Sequence, residues 1–197
     1  CIRDSIRVEP ARADRLRRMG PFLGNKPGLE TGAFHQFLNA GKRSFTPNLD
    51  CAQGRRLLFD LCASSEAVIG SAPLPMDQDE LLSANAGLVI GRFDDALPEL
   101  CAYARSGLLA LTGDPDGPPM LLGGHAAHAA LGAFAATAVM AALFVQQMTG
   151  EGQLVELSAP ECLAVLGEQG LVAQMTGERF ERRGYRGVVT AVSGAFR

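Results

Sequence analysis

The 197-residue chain predicts an α/β fold in which a parallel sheet is covered by helices. Two observations lead there. Short apolar runs of strand type alternate with longer runs whose apolar residues recur at helical spacing, and that alternation is the order of parallel crossover units. Composition agrees, since 47% of the residues are hydrophobic and 20% charged, enough to bury the core of a single domain.

The elements follow in order. "SIRVE" (5–9) alternates and reads as a strand, while "CAQGRRLLFDLCASS" (51–65) sets Leu57, Leu58, Leu61 and Cys62 at helical spacing. "AVIGSA" (67–72) is a second strand, "DQDELLSANAG" (77–87) a short helix ending at Gly87, and "LVIGRF" (88–93) a third strand. One helix is expected through "LPELCAYARSGLLAL" (97–111). "TGDPDGPP" (112–119) is a turn: Pro and Gly punctuate it, and Asp114 and Asp116 can bond their own backbone, which accounts for both carboxylates without acid/base chemistry. An alanine-rich helix begins at Ala126, and the glycines of "TGEGQ" (149–153) stop it. "LVELS" (154–158) is a strand, Ala159 to about Met175 a helix, and "GVVTAVSGAFR" (187–197) a strand or extended segment.

Ala126 to Val145 carries no formal charge over a length that spans a bilayer. Half of that stretch is alanine, it contains His128 and Thr137, and Glu151 rather than Lys or Arg follows its end. The expectation is a buried helix packed centrally and tightly, with no membrane partner. Small residues favour this by letting backbones approach.

Eighteen basic against twenty-one acidic residues give a net charge of -3. The basic residues gather only in "RADRLRR" (12–18) and "RFERRGYR" (179–186), so no phosphate-tracking surface is advertised and nucleic acid is not an expected partner. Cys1, Cys51, Cys62, Cys101 and Cys162 are odd in number and never form a C-x-x-C pair. Reduced thiols and a cytoplasmic location follow. Cys1 leads straight into "IRDSIRVEP", as the middle of a domain would, so the N-terminus is expected to be a cut end.

Two of the three histidines, His125 and His128, stand in "GGHAAHAALG" (123–132) at the mouth of the alanine helix. Three readings are open. Residues three apart share a helical face and could bind a metal together, but the sequence offers no third ligand, and no metal is expected. A neutral imidazole can instead transfer protons near neutral pH. The third reading is a helix-mouth histidine without chemistry. Glu99, at a helix start, is either an acid or base or a complement to the helix dipole. Lys42 and Arg43, with Asn39 and Gly41 on the loop running into the helix at Cys51, are either a phosphate clamp or a solvated basic pair.

The segments "IRVEPARADRLRRMGPF", "NAGKRSFTPNLDCAQGRRLLFDL", "SGLLALTGDPDGPPMLLGG" and "ATAVMAALFVQQMTGEGQLVELS" occur in this order over nearly the whole chain. In order and spacing they resemble the family III coenzyme A transferases, the group of formyl-CoA transferase and α-methylacyl-CoA racemase. The resemblance implies a Rossmann-like parallel sheet flanked by helices in a large domain, a smaller domain closing over it, and an interlocked dimer. Family members are about twice as long, so residues 1–197 are expected to be an incomplete large domain without its first strand and C-terminal half.

The implied substrates are coenzyme A as an acyl-CoA thioester and a small carboxylic acid, with no metal. In the transferases an aspartate attacks the thioester, and in the racemases an aspartate and a histidine exchange the α-proton. With Gly132 matched to the family's glycine four residues after that aspartate, His128 takes the aspartate's place. Glu99 falls where relatives often carry an aspartate, and Asn39, Lys42 and Arg43 fall beside the nucleotide end of CoA.

The chain also departs from the pattern. "DDALPELCAYA" (94–104) is shorter than the family's loop by roughly ten residues and lacks its glycine-rich element. Gly70, Ser71 and Ala72 replace an acidic, a polar and an aromatic residue, and Pro47 and Asp50 replace leucine and lysine. Two functions therefore stand side by side. One is a transferase, or racemase-like enzyme, working with His128 in the aspartate's seat. The other is a non-catalytic CoA-binding or scaffolding copy in a fused or heteromeric transferase. The expected partner is a second copy of the chain or a catalytic copy.

Overall fold

The computed structural model describes residues 5–94, 96–177 and 182. The chain forms two units, Cys1–Ser64 and Ser65–Arg197, and each is described by itself.

In the first unit β1 (Ile6–Val8) pairs in parallel with β2 (Arg43–Phe45), with Ile6 opposite Arg43. Between them lies α1 (Ala33–Asn39), and α2 (Ala52–Ala63) follows. The sequence reading contains neither β2 nor α1, because each is too short to set up a period of its own. Arg43 is therefore the first residue of β2 and not part of a loop. At the start of α2 the Cys51 Sγ accepts from the Gly54 amide at 3.4 Å. Leu58 and Cys62, one turn apart, are buried, while Leu57 is 51% exposed, so the buried face is narrower than the sequence spacing implied.

A polar network ties this unit together. Glu9 is only 4% exposed, and its carboxylate accepts from Arg17 Nε at 2.6 Å, Arg17 Nη2 at 2.8 Å and Ser44 Oγ at 2.9 Å. Arg7 donates from Nη1 to Asn39 Oδ1 at 2.6 Å and pairs with Asp14. Part of the basic run at 12–18 is thus spent internally, as charge-assisted bonds to buried carboxylate.

In the second unit β3 (Ala67–Ser71), β4 (Val89–Asp94) and β5 (Gln153–Ser158) form an all-parallel sheet in the order β3-β4-β5. The helices are α3 (Gln78–Ala84), α4 (Glu99–Arg105), α5 (Leu108–Leu111), α6 (Ala126–Thr149), α7 (Ala159–Leu166) and α8 (Glu168–Met175). The central strand β4 buries Val89, Ile90 and Phe93, as a strand with neighbours on both edges should. Arg92 faces its register partner Glu156 across β4 and β5, with Nε 2.8 Å from Oε1.

Local chemistry explains where the helices start and stop. Asp77 caps α3 by accepting from the amides of Asp79 and Glu80 at 2.8 and 3.0 Å. That helix ends at Ala84, short of the expected Gly87, because Asn85 turns extended and its side chain takes the Gly87 amide at 3.0 Å. The single helix expected over 97–111 is broken in two: Gly107 adopts φ 79° between α4 and α5. The helix expected from Ala159 to Met175 likewise breaks, at Gly167. Gly150, at φ 79°, stops α6 as expected and donates to Gln146 O at 2.8 Å. In the turn at 112–119 the Asp114 carboxylate accepts from the Asp116 amide at 3.0 Å. The segment 187–197 lies outside the described residues.

α6 meets the sheet along the row Ala127, Leu131, Ala135 and Val139, all buried, and its opposite side leaves Met140 62%, Phe144 64% and Met148 73% exposed. The expectation of a buried helix packed centrally therefore holds along a single stripe, and the rest of the helix is more open than expected. By length and composition α6 is apolar enough to cross a membrane, while the buried stripe packs against the core of its own unit. The core joins this stripe to Val89, Phe93, Tyr103 and Leu163.

Candidate active site

The site is built where the chain enters α6. Gly124 and His125 both take left-handed backbone conformations, at φ 77° and 56°. For a histidine this is uncommon, and two such residues in succession swing the chain sharply into the helix. His128 follows one turn on, so both imidazoles project from the same side of the helix mouth.

Glu99, the first residue of α4, completes the arrangement. Its Oε1 accepts from the Ala127 amide at 3.0 Å, and its Oε2 lies 3.5 Å from His125 Nδ1 and 4.0 Å from His128 Nδ1. The two rings stand edge to face with centroids 6.2 Å apart. Glu99 is 15% exposed and the imidazoles 48% and 54%, so a held carboxylate faces two accessible rings. The carboxylate satisfies one of the orphan amides of α6 and complements its positive end. Glu99 stands in the first turn of α4, as the dipole reading expects, and its carboxylate also serves α6, a helix remote in sequence. The sequence reading missed this contact, and with it the third potential ligand beside the two histidines.

Tyr103, one turn beyond Glu99 on α4, is fully buried, and its hydroxyl lacks a hydrogen-bond partner among the described residues. Burial pushes its pKa up, and the negative charge of Glu99 adds to the effect. Burial likewise pushes the Cys62 and Cys162 thiols up, which suits inert structural cysteines.

Asn39, Lys42 and Arg43 belong to the first unit. Asn39 Oδ1 accepts from Arg7 Nη1 at 2.6 Å and from Lys42 Nζ at 3.2 Å, and its Nδ2 donates to the His35 carbonyl at 3.1 Å. Desolvation, and then the nearby Arg7 guanidinium, lower the Lys42 pKa. Asn39 and Lys42 are brought together, Arg43 is exposed on β2, and Arg7 joins the group. The only trace of Arg7 in the sequence is its place in the alternating "SIRVE".

The family model described as CoA-transferase family III matches residues 4–94 and 98–197. The chain is 34% identical over 178 residues to succinyl-CoA:(R)-benzylsuccinate CoA-transferase subunit BbsE of Thauera aromatica, covering 82% of the chain and 43% of the relative. It is 29% identical over 194 residues to succinate–glutarate CoA-transferase of Agrobacterium fabrum, covering 88% and 48%. A solved CAIB/BAIF family protein from Brucella suis superposes with a TM-score of 0.80 at 26% identity, over 91% of this chain and 52% of that one. The chain spans about half the length of the relatives it matches. With a family model matched from residue 4 to residue 197 and a parallel sheet of the same fold, the chain belongs to CoA-transferase family III.

Proposed function

We propose that the protein containing this chain exchanges CoA between an acyl-CoA thioester and a small carboxylic acid, in the cytoplasm. In this copy His128 takes the place of the catalytic aspartate. The observation that carries the reading is the meeting of Glu99, His125 and His128 at the mouth of α6. The activities for which the relatives are named, exchange of CoA with benzylsuccinate and with glutarate, support the substrate class.

The chemistry balances without a cofactor. With Nδ1 of His128 turned toward Glu99, Nε2 attacks the thioester carbonyl and CoA leaves as thiolate. The acceptor carboxylate attacks the acyl-imidazole, regenerating the imidazole and giving a mixed anhydride. CoA thiolate then attacks the acceptor's carbonyl, forming the new thioester and releasing the original acid. Glu99 offsets the positive charge that the imidazole carries on acylation. Asn39, Lys42 and Arg43 serve the nucleotide end of CoA as neighbouring cations and an amide.

A second reading is a non-catalytic copy, paired with a chain that retains the aspartate. Two observations favour it: His128 is not a carboxylate, and the Thauera relative is named as a subunit. Intact-mass analysis after mixing with succinyl-CoA, and hydroxylamine trapping, separate the two. The transfer reading expects an acyl adduct in the wild type that His128→Asn abolishes. Absence of the adduct, with exchange appearing only when a catalytic chain is added, establishes the second reading instead.

A further inference from the structure

Glu99, His125 and His128 each offer one ligand atom, and those atoms all lie within 4.8 Å of one another. We propose that this triad binds a divalent transition ion of the zinc class. Two imidazoles and one carboxylate are a donor set suited to such ions, and three protein ligands leave one position open.

The geometry is close to what the ion needs. A tetrahedral centre with bonds of about 2.1 Å sets its donor atoms roughly 3.4 Å apart. The Glu99 Oε2 already lies 3.5 Å from one Nδ1 and 4.0 Å from the other. Both rings are about half exposed, so rotation of the imidazoles closes the wider separation without disturbing the core.

The surroundings hold the ligands in place. The Ala127 amide occupies Glu99 Oε1 and leaves Oε2 for the ion, the arrangement by which outer contacts orient a ligating carboxylate. The positive end of α6 opposes a cation, and the Glu99 charge offsets it. His125 is fixed at φ 56°, which keeps it beside the carboxylate. The fourth position faces solvent and takes water or a small carboxylate. An ion on Nδ1 leaves a proton on Nε2, so metal binding and acylation of His128 exclude each other.

The test is titration of the chelator-treated, reduced full chain with Zn²⁺ by calorimetry and with Co²⁺ by visible absorption, in the absence of any acyl-CoA. This separates its outcome from that of the transfer reading. The expected result is one ion per chain, with a Co²⁺ spectrum lacking an intense thiolate band. His125→Asn and His128→Asn should each weaken binding at least about 100-fold, and Glu99→Gln at least about tenfold. The triple variant Cys1→Ser, Cys51→Ser, Cys101→Ser should leave it unchanged. The histidines are exposed, so their variants fold even where Glu99→Gln does not. No binding by the wild type, retention by the double histidine variant, or loss in the cysteine variant would each overturn the site.

Discussion

Glu99 and Ala127, 28 residues apart, are joined by a hydrogen bond from the Ala127 amide to the Glu99 carboxylate at 3.0 Å. It makes one side chain the cap of α6 as well as a member of the histidine cluster. Ala127 is 2% exposed, so its amide has no ready access to water once the acceptor is removed. Glu99→Ala should lower stability by about 1–2 kcal/mol in denaturant unfolding. Glu99→Gln keeps an oxygen acceptor and should lose less than half of that. Equal losses would mean that charge, and not the hydrogen bond, is what matters at this position.

The cationic group around Asn39 makes a separate prediction about CoA. Lys42 Nζ rests on Asn39 Oδ1 at 3.2 Å, and Arg43 is exposed on β2. Neither makes a buried contact that the fold depends on. The double variant Lys42→Ala, Arg43→Ala should therefore keep its melting temperature and lose retention on CoA-agarose. Unchanged retention returns the pair to a solvated surface role.

What the sequence conveyed well is local in origin. Gly150 as a helix stop and Asp114 as a turn former act within a few residues, and the structure has both. The strands β3, β4 and β5 were legible because apolar runs recur between helical ones. β2 and α1 were not, since three and seven residues gain their order from neighbours rather than from pattern. The break at Gly107 has no sequence signal, because a glycine in a helical pattern does not disclose which sign of φ it takes. The histidine pair was visible, but Glu99 became its partner only through packing of α4 against α6, which no local spacing encodes. The same holds for Arg7, which reaches Asn39 across 32 residues.

Two glycines between α6 and β5 should respond differently to the same change. A Cβ at Gly152 would stand 2.1 Å from the Leu88 carbonyl oxygen, a backbone atom that cannot step aside. Gly150 has nothing within 4 Å of its would-be Cβ and is constrained only by φ 79°. Gly150→Ala should cost about 1 kcal/mol. Gly152→Ala should cost about 3 kcal/mol, by forcing β4 and the approach to β5 apart. Chemical denaturation midpoints of the two variants distinguish them, and comparable losses would contradict the close approach at Gly152.

Acid should weaken the first unit through Glu9. The Arg17 guanidinium, followed by the Ser44 hydroxyl and the charge of Arg7, outweighs the effect of burial and holds this carboxyl down at about 2, from an ordinary 4.5. A carboxyl depressed in the folded state binds fewer protons there than in the unfolded chain, so its contribution is complete above about pH 5. As pH falls from 4.5 toward 2 that contribution is lost, and it amounts to about 3 kcal/mol. Glu9→Gln should remove most of it at neutral pH and flatten the acid limb of the stability profile between those values. The check is urea unfolding from pH 7 to pH 3, followed by a signal from the first unit; an acid limb as steep in Glu9→Gln as in the wild type would assign the acid sensitivity to other carboxylates.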